Sequence, residues 1–137
     1  MRKSLSKASK AEKFLQGVAL FNAGKFFRAH EAWEELWLTS SGTDKLFLQG
    51  LIQTAAALHH LSRGNSSGAK SLLEAGCAKL ARLPDDFWGI KLGNLVKDSR
   101  ALLTRLKERS EVMEKFPRIE LKRTGKNTSE ETLLSGS

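Results

Sequence analysis

The fold of this chain is decided by the stretch FFRAHEAWEELWL, residues 26–38. Its apolar residues recur at helical spacing, and the inward stripe of the predicted helix holds Phe26, Phe27, His30, Trp33 and Trp37. Glu34 lies four residues after His30, so both side chains are predicted to share that face, one turn apart. The stretch therefore predicts an amphipathic helix with a histidine and a glutamate among aromatic side chains.

Similar patterns on either side predict four more helices. They cover about residues 11–22, 44–62, 66 to the break at Pro84, and 91–109. Gly24 and Gly64 are predicted to end the first and third helices, and Thr43 is predicted to cap the start of the third. Phe87 and Trp88 are predicted to form a hydrophobic plug in the connection after Pro84. The chain is therefore assigned to the all-α class.

A short internal repeat indicates how the helices pair. Phe14-Leu15-Gln16-Gly17 recurs 33 residues later as Phe47-Leu48-Gln49-Gly50. The repeat predicts two helical hairpins of one kind, broadly like tetratricopeptide units of about 34 residues, and a chance match is the alternative. Because about three such units are needed to close a core, the fifth helix is predicted to cap a compact bundle of about five helices.

Length and composition favour one domain. The 137 residues are 40% hydrophobic, and no apolar run is long enough to span a bilayer. We predict a flexible basic arm over 1–10, one helical domain over 11–109, and an extended or disordered tail over 110–137 in which residues 116–119 dock as an extended strip. The basic N-terminus is not followed by an apolar segment, so a secretory signal is not expected. Cys77 is the only cysteine, which fits a reducing, cytoplasmic environment and a place in the core.

Half of the formal net charge of +8 lies within residues 1–13, which hold five basic side chains and one acidic side chain. A basic arm of this kind can contact nucleic acid or anionic lipid through phosphate groups. The alternative, a solubilising tail, is the commoner use of such a segment and is favoured here.

The third helix supplies predicted partners for His30 and Glu34. In an antiparallel pair whose turn is centred near residue 41 or 42, Gln53 lies level with His30 and Gln49 lies level with Glu34. Unpaired burial of such groups costs about 2–7 kcal/mol each, so we predict a buried polar ladder of these four residues. His60, seven residues after Gln53, is predicted to lie on the same face, one layer away.

Three interpretations of this ladder are open. The favoured one is a structural network that fixes the register of the helix pair. The second is a ligand pocket lined by Trp33, Trp37 and the two glutamines. The third is a metal site using His30, Glu34 and either Glu31 or His60. The third is least favoured, because the pattern lacks the second histidine of the zinc-protease motif H-E-x-x-H.

The run from Phe21 to Glu34, together with 47–53, 60–65 and 68–69, resembles a bacterial domain-of-unknown-function family, number three hundred and nine. The shared helix has the pattern H-E-x-x-E-x-x-W. The resemblance implies a short all-helical protein, and some members carry a metal-dependent hydrolase label. Arg28 stands where an acidic residue is usual in this family, which weakens the metal interpretation.

The functional prediction is a helical binding or interaction module rather than an enzyme. Its expected partner is a small molecule or a protein and not a membrane, with self-association left open and nucleic-acid contact through residues 1–13 as a weaker alternative. No cofactor is predicted, and a divalent metal is the weaker alternative. The rival from another class is a metal-dependent hydrolase that uses His30, Glu31 and Glu34.

Overall fold

The computed structural model describes residues 7–108 and 116–122, and its regular structure is helical. Five helices follow in order: α1 (Lys7–Asn22), α2 (Phe26–Leu38), α3 (Gly42–Ser62), α4 (Ser66–Leu80) and α5 (Leu92–Lys107). Each helix packs mainly against its neighbours in the chain. The predicted all-α class and the bundle of about five helices are confirmed.

The first helix differs from the prediction at its start. It begins at Lys7, so residues 7–10, expected in the flexible arm, are helical. Alanine and lysine in this segment are good helix formers, and they extend the helix backwards without apolar periodicity. Residues 1–6 of the predicted arm lie outside the described residues, as do residue 109 of the predicted helical domain and residues 110–115 and 123–137 of the predicted tail.

The turns of the two hairpins have the same construction. Gly24 and Gly64 adopt left-handed backbone angles, with φ of 81° and 84°. The N–H group after each glycine donates to a carbonyl five residues back, Lys25 to Leu20 and Asn65 to His60, both at 2.8 Å. This is the Schellman arrangement that ends many helices. The predicted helix ends at both glycines are confirmed.

The third helix lies at the centre of the bundle, as its composition predicts. Its middle is buried on most sides, and it packs against α4 through Gly50 and Gly76. A Cβ atom placed on Gly76 would lie 3.0 Å from the Gly50 carbonyl oxygen and 2.7 Å from Thr54 Oγ1. Thr54 Oγ1 itself donates to the Gly50 carbonyl at 2.9 Å. Because Gly50 and Gly76 have no side chains, the backbones of α3 and α4 approach each other closely here.

The first hairpin closes differently, with a large side chain against a glycine. Trp33 of α2 is fully buried, and its indole N–H donates to the Phe14 carbonyl at 3.2 Å. A Cβ atom on Gly17 would overlap the indole ring, with Cδ1 and Cε2 both at 2.6 Å. Gly17 therefore makes the space that Trp33 fills.

The connection after α4 forms a short 3₁₀ turn, Phe87–Gly89, that covers one end of the bundle. Trp88 has a positive φ of 53°, which is rare for a bulky residue. Its indole N–H donates to Asp44 Oδ1 at 2.9 Å, and its ring meets the Phe14 ring edge-on at 5.1 Å. Phe87 and Trp88 are both half-buried against the core, which confirms the predicted plug.

The segment 116–122 docks as an extended strip, as predicted for residues 116–119. Ile119 is 2% exposed, and its N–H donates to Asn22 Oδ1 at 2.8 Å. Asn22 Nδ2 donates in return to the Ile119 carbonyl at 2.9 Å, so one amide side chain at the end of α1 holds the strip. Leu121 forms an antiparallel bridge with Ile90.

The third helix begins at Gly42, about two residues earlier than predicted. The residue before its first turn is Ser41, with an extended backbone, so the predicted capping role of Thr43 is wrong. The left-handed φ of 61° at Gly42 lets the helix begin there. Among the described helices, none has both the length and the apolar character needed to cross a bilayer.

Candidate functional site

The second helix buries a different stripe from the one predicted. Its buried residues are Phe26, Ala29, Ala32, Trp33 and Leu36. The two alanines allow neighbouring helices to approach closely, so they take the inward positions. This rotation leaves His30 half-buried at the edge and Glu34 exposed. The prediction of a buried Glu34 is therefore wrong, and Glu31 is exposed as well.

Two contacts define the register between α2 and α3. The rings of Phe27 and His59 are 5.4 Å apart, and Lys45 Nζ lies 4.4 Å from the centroid of the Trp37 ring. These pairs lie above and below the predicted level of His30 and Gln53. The antiparallel pairing on which the ladder was based is therefore present, although its hydrogen bonds are not.

Three polar atoms along this contact have no hydrogen-bond partner. His30 Nδ1, Trp37 Nε1 and Gln53 Oε1 are all buried and unpaired within the described protein. These three residues are called here the α2–α3 seam. An unsatisfied buried polar atom costs about 1–3 kcal/mol, so a network that merely fixes register would be expected to pair them. The predicted hydrogen-bonded ladder is wrong.

Gln49 shows why the ladder fails. It is half-buried on α3, but its predicted partner Glu34 faces outward. Within the described part of the chain, no hydrogen bond joins Gln49 to Glu34 or His30 to Gln53. The level of the residues along the helices was predicted well, whereas the rotation of α2 about its axis was not.

Outward from the seam, α2 carries four exposed residues in one row, called here the α2 stripe: Phe27, Glu31, Glu34 and Leu38. Phe27 is 50% exposed and Leu38 is 58% exposed, so each end of the row presents apolar surface. The ring of His30 stacks on Phe27 at 5.7 Å with 8° between the planes. The stripe therefore contacts the seam at His30.

Trp33 and His60, two other predicted site residues, lie elsewhere. Trp33 is directed into the first hairpin against Gly17, so a pocket shared by Trp33 and Trp37 is wrong. His60 Nδ1 is 3.1 Å from Asn65 Nδ2, because the turn at Gly64 brings Asn65 back over the end of α3. His59, the residue before it, is the histidine whose ring contacts α2 at Phe27.

The residues proposed for a metal site do not converge. Across residues 7–108 and 116–122, no group of three or more histidine, cysteine, aspartate or glutamate side chains could hold a metal ion. Glu31 and Glu34 extend outward from α2, while His30 lies at its edge against Phe27. The hydrolase alternative therefore lacks a convergent set of groups in this part of the chain.

Sequence reasoning missed the surface role of Phe27 and Leu38. It placed Phe27 on the inward face and gave Leu38 no role beyond the end of the helix. The signal was present in the spacing, because residues 27, 31, 34 and 38 follow the four-three-four pattern of one helix face. This spacing was applied to the aromatic residues and to His30 and Glu34, and so the inward face was placed on the wrong side of α2.

Cys77 lies in the core as predicted, 4% exposed. Burial is the main cause that raises the pKa of its thiol, while the charge of Arg100 acts in the opposite direction. Within the basic segment 1–13, Lys13 makes an ion pair with Glu35 at 3.2 Å. Nucleic-acid contact through residues 1–13 stays a prediction.

Comparison with known proteins adds two findings. The family described as "Domain of unknown function (DUF309)" matches residues 14–72. An "Uncharacterized protein" of Aquifex aeolicus (strain VF5) is 33% identical over 96 residues, which are 69% of this chain and 29% of the relative. The chain therefore spans less than a third of that relative's length. The family match includes all of α2 and α3, and with them the stripe and the seam.

Proposed function

Residues 14–72 of this chain match the DUF309 family, and on that premise we propose that they form a module that binds another polypeptide. The binding surface is the α2 stripe together with the α2–α3 seam. Both lie inside the region that the family shares.

The observation that carries this proposal is the unused hydrogen-bonding capacity of the seam. Three buried polar atoms without partners lie on α2 and α3, and the ring of one of them, His30, stacks on the half-exposed Phe27. His30, Trp37 and Gln53 are each only half-buried as whole residues, so part of each side chain lies at the protein surface. Aromatic anchors flanked by polar groups are typical of protein interfaces, where both kinds of group find partners.

The shape of the surface favours a polypeptide over a small molecule. Small ligands need concave sites, whereas the stripe lies on the outer side of one helix. Four clefts of about 220 to 490 Å³ lie elsewhere in the described part of the protein, and none of these four is lined by a residue of α2.

The relative from Aquifex aeolicus also supports a polypeptide partner. The matched region is less than a third of that protein, so there the domain is joined to a longer polypeptide. A helical domain that occurs within a longer chain has other segments beside it, and a surface with unmet polar and apolar groups suits contact with such segments.

The proposal is tested by site-specific photocrosslinking in the native cells. A benzophenone amino acid replaces Phe27 in one variant and Leu15 in the other; Leu15 is outside the stripe, is 45% exposed on α1 and lines one of the four clefts. We expect an adduct of defined mass from position 27 and none from position 15.

The partner found in that adduct is then purified and titrated. Phe27→Ala should weaken binding about tenfold, because truncating an aromatic anchor commonly costs more than 1 kcal/mol, and Leu15→Ala should leave it unchanged. Equal adducts from both positions, or full affinity in Phe27→Ala, would contradict the proposed function.

A further inference from the structure

We propose that the partner segment is an amphipathic helix with basic residues between apolar ones. This inference rests on the proposed function, since it names the chemistry that the α2 surface recognises. It is carried by the order of groups along the stripe, by their charges, and by the unfavourable charge pattern that a second copy of α2 would meet.

The stripe has a simple order along the helix axis. Apolar Phe27 and Leu38 stand at its ends, and the carboxylates of Glu31 and Glu34 stand between them. At 1.5 Å per residue the row extends about 16 Å, roughly three turns of a facing helix. The spacings are four, three and four, so the row reads the same in both directions. A facing helix with apolar, basic, basic and apolar residues at those spacings matches it in either orientation.

The two carboxylates are available for a partner. Neither Glu31 nor Glu34 makes an ion pair with a residue in the described part of the chain, whereas Glu35 is paired with Lys13. Arg28 is exposed one turn before Glu31 and makes no ion pair with it. The chain as a whole carries a net charge of +8, so a row with two carboxylates and no basic side chain differs in charge from the rest of the chain. Positive charge on the partner complements it.

A second copy of this chain fits the stripe poorly. In a two-fold arrangement of antiparallel α2 helices, Phe27 would meet Leu38 of the copy, which is favourable. The same arrangement would set Glu31 against Glu34 of the copy twice over, and like charges in contact oppose association. Phosphate groups of nucleic acid or anionic lipid meet the same repulsion.

Two synthetic helical peptides of at least about 15 residues serve as probes, since shorter isolated helices are marginal in water. The cationic probe carries Leu, Lys, Lys and Leu at the stripe spacing on an alanine and glutamine background. The anionic probe has Glu in place of both Lys. We expect the cationic probe alone to bind the full chain, with an affinity that falls as salt is added.

Charge-neutral variants locate the binding on α2. The double variant Glu31→Gln with Glu34→Gln should weaken binding of the cationic probe about fivefold and remove most of its salt dependence. The matched control is Glu12→Gln with Glu120→Gln, two exposed carboxylates elsewhere that change the net charge equally. The control should change binding less than twofold.

The outcomes separate this inference from the proposed function. Equal binding of both probes, no binding of either, or equal weakening by the control variant would overturn the cationic helix. If the crosslinked partner still depends on Phe27 in that case, the binding module stands and only its partner chemistry is wrong. A dimer in sedimentation that Phe27→Ala dissociates would overturn the inference in favour of self-association.

Discussion

The two hairpins share a turn and differ in how their helices meet. Each turns at a left-handed glycine with the same pair of backbone hydrogen bonds. In the first hairpin a fully buried tryptophan fills the space above Gly17, whereas in the second Gly76 lies against the Gly50 backbone. One construction therefore supports two kinds of helix contact.

The difference has a consequence for the surface. The second hairpin is covered, because α3 packs against α2 and α4 packs against α5. In the first hairpin the largest side chain, Trp33, is buried between α1 and α2, and the outer side of α2 is exposed. Both hairpins contribute to one core, and the first hairpin also carries the exposed α2 stripe.

The largest loss of stability is expected when the contact between Gly17 and Trp33 is disrupted. Gly17→Ala should cost about 3 kcal/mol, because the added methyl overlaps an indole that is buried and hydrogen-bonded. Trp33→Ala should cost about 4 kcal/mol through lost burial and the cavity left behind. Urea unfolding of both single variants measures these losses.

The double variant tests whether the two residues form one unit. In the Trp33→Ala background, Gly17→Ala should cost almost nothing, since the methyl then enters a cavity. Strict additivity of the two losses would show that Gly17 matters for another reason than the fit of Trp33.

A smaller effect is expected in the second hairpin. Gly76→Ala should cost about 2 kcal/mol, because the methyl meets the Gly50 carbonyl at 3.0 Å and the Thr54 N–H at 3.2 Å, and backbone atoms cannot rotate away. Ser71→Ala, an exposed change on the same helix, should be neutral or slightly stabilising. A Gly76→Ala variant as stable as the parent in urea would mean that the helix pair can separate without loss.

Much of the hairpin structure was predictable from the sequence. The repeated Phe-Leu-Gln-Gly element and the glycines at 24 and 64 predicted the hairpins and their ends, because turns depend on local backbone preferences. Levels along α2 and α3 were also predictable, since a short turn sets how two antiparallel helices align.

The rotation of α2 could not be read in the same way. Its aromatic residues suggested one inward stripe, but the structure turns the small Ala29 and Ala32 inward, where helices approach each other. Which face is buried depends on three-dimensional fit, such as Trp33 against Gly17, that helical periodicity does not encode. For this reason the sequence predicted the levels of the residues along α2 but not which of them face outward.

The smallest losses of stability are expected at the two turns, which the hairpins share. Gly24→Ala and Gly64→Ala should each cost about 1 kcal/mol, since a Cβ has open space at both positions and only the left-handed backbone opposes it. The matched changes Gly24→Asn and Gly64→Asn should cost less, because asparagine tolerates these angles. In thermal unfolding each alanine variant should lower Tm by about 3 to 5 °C, and by the same amount at both turns. A clear inequality would mean that the two turns, despite φ angles of 81° and 84°, are held by different forces, and the hairpins would then share geometry without sharing energetics.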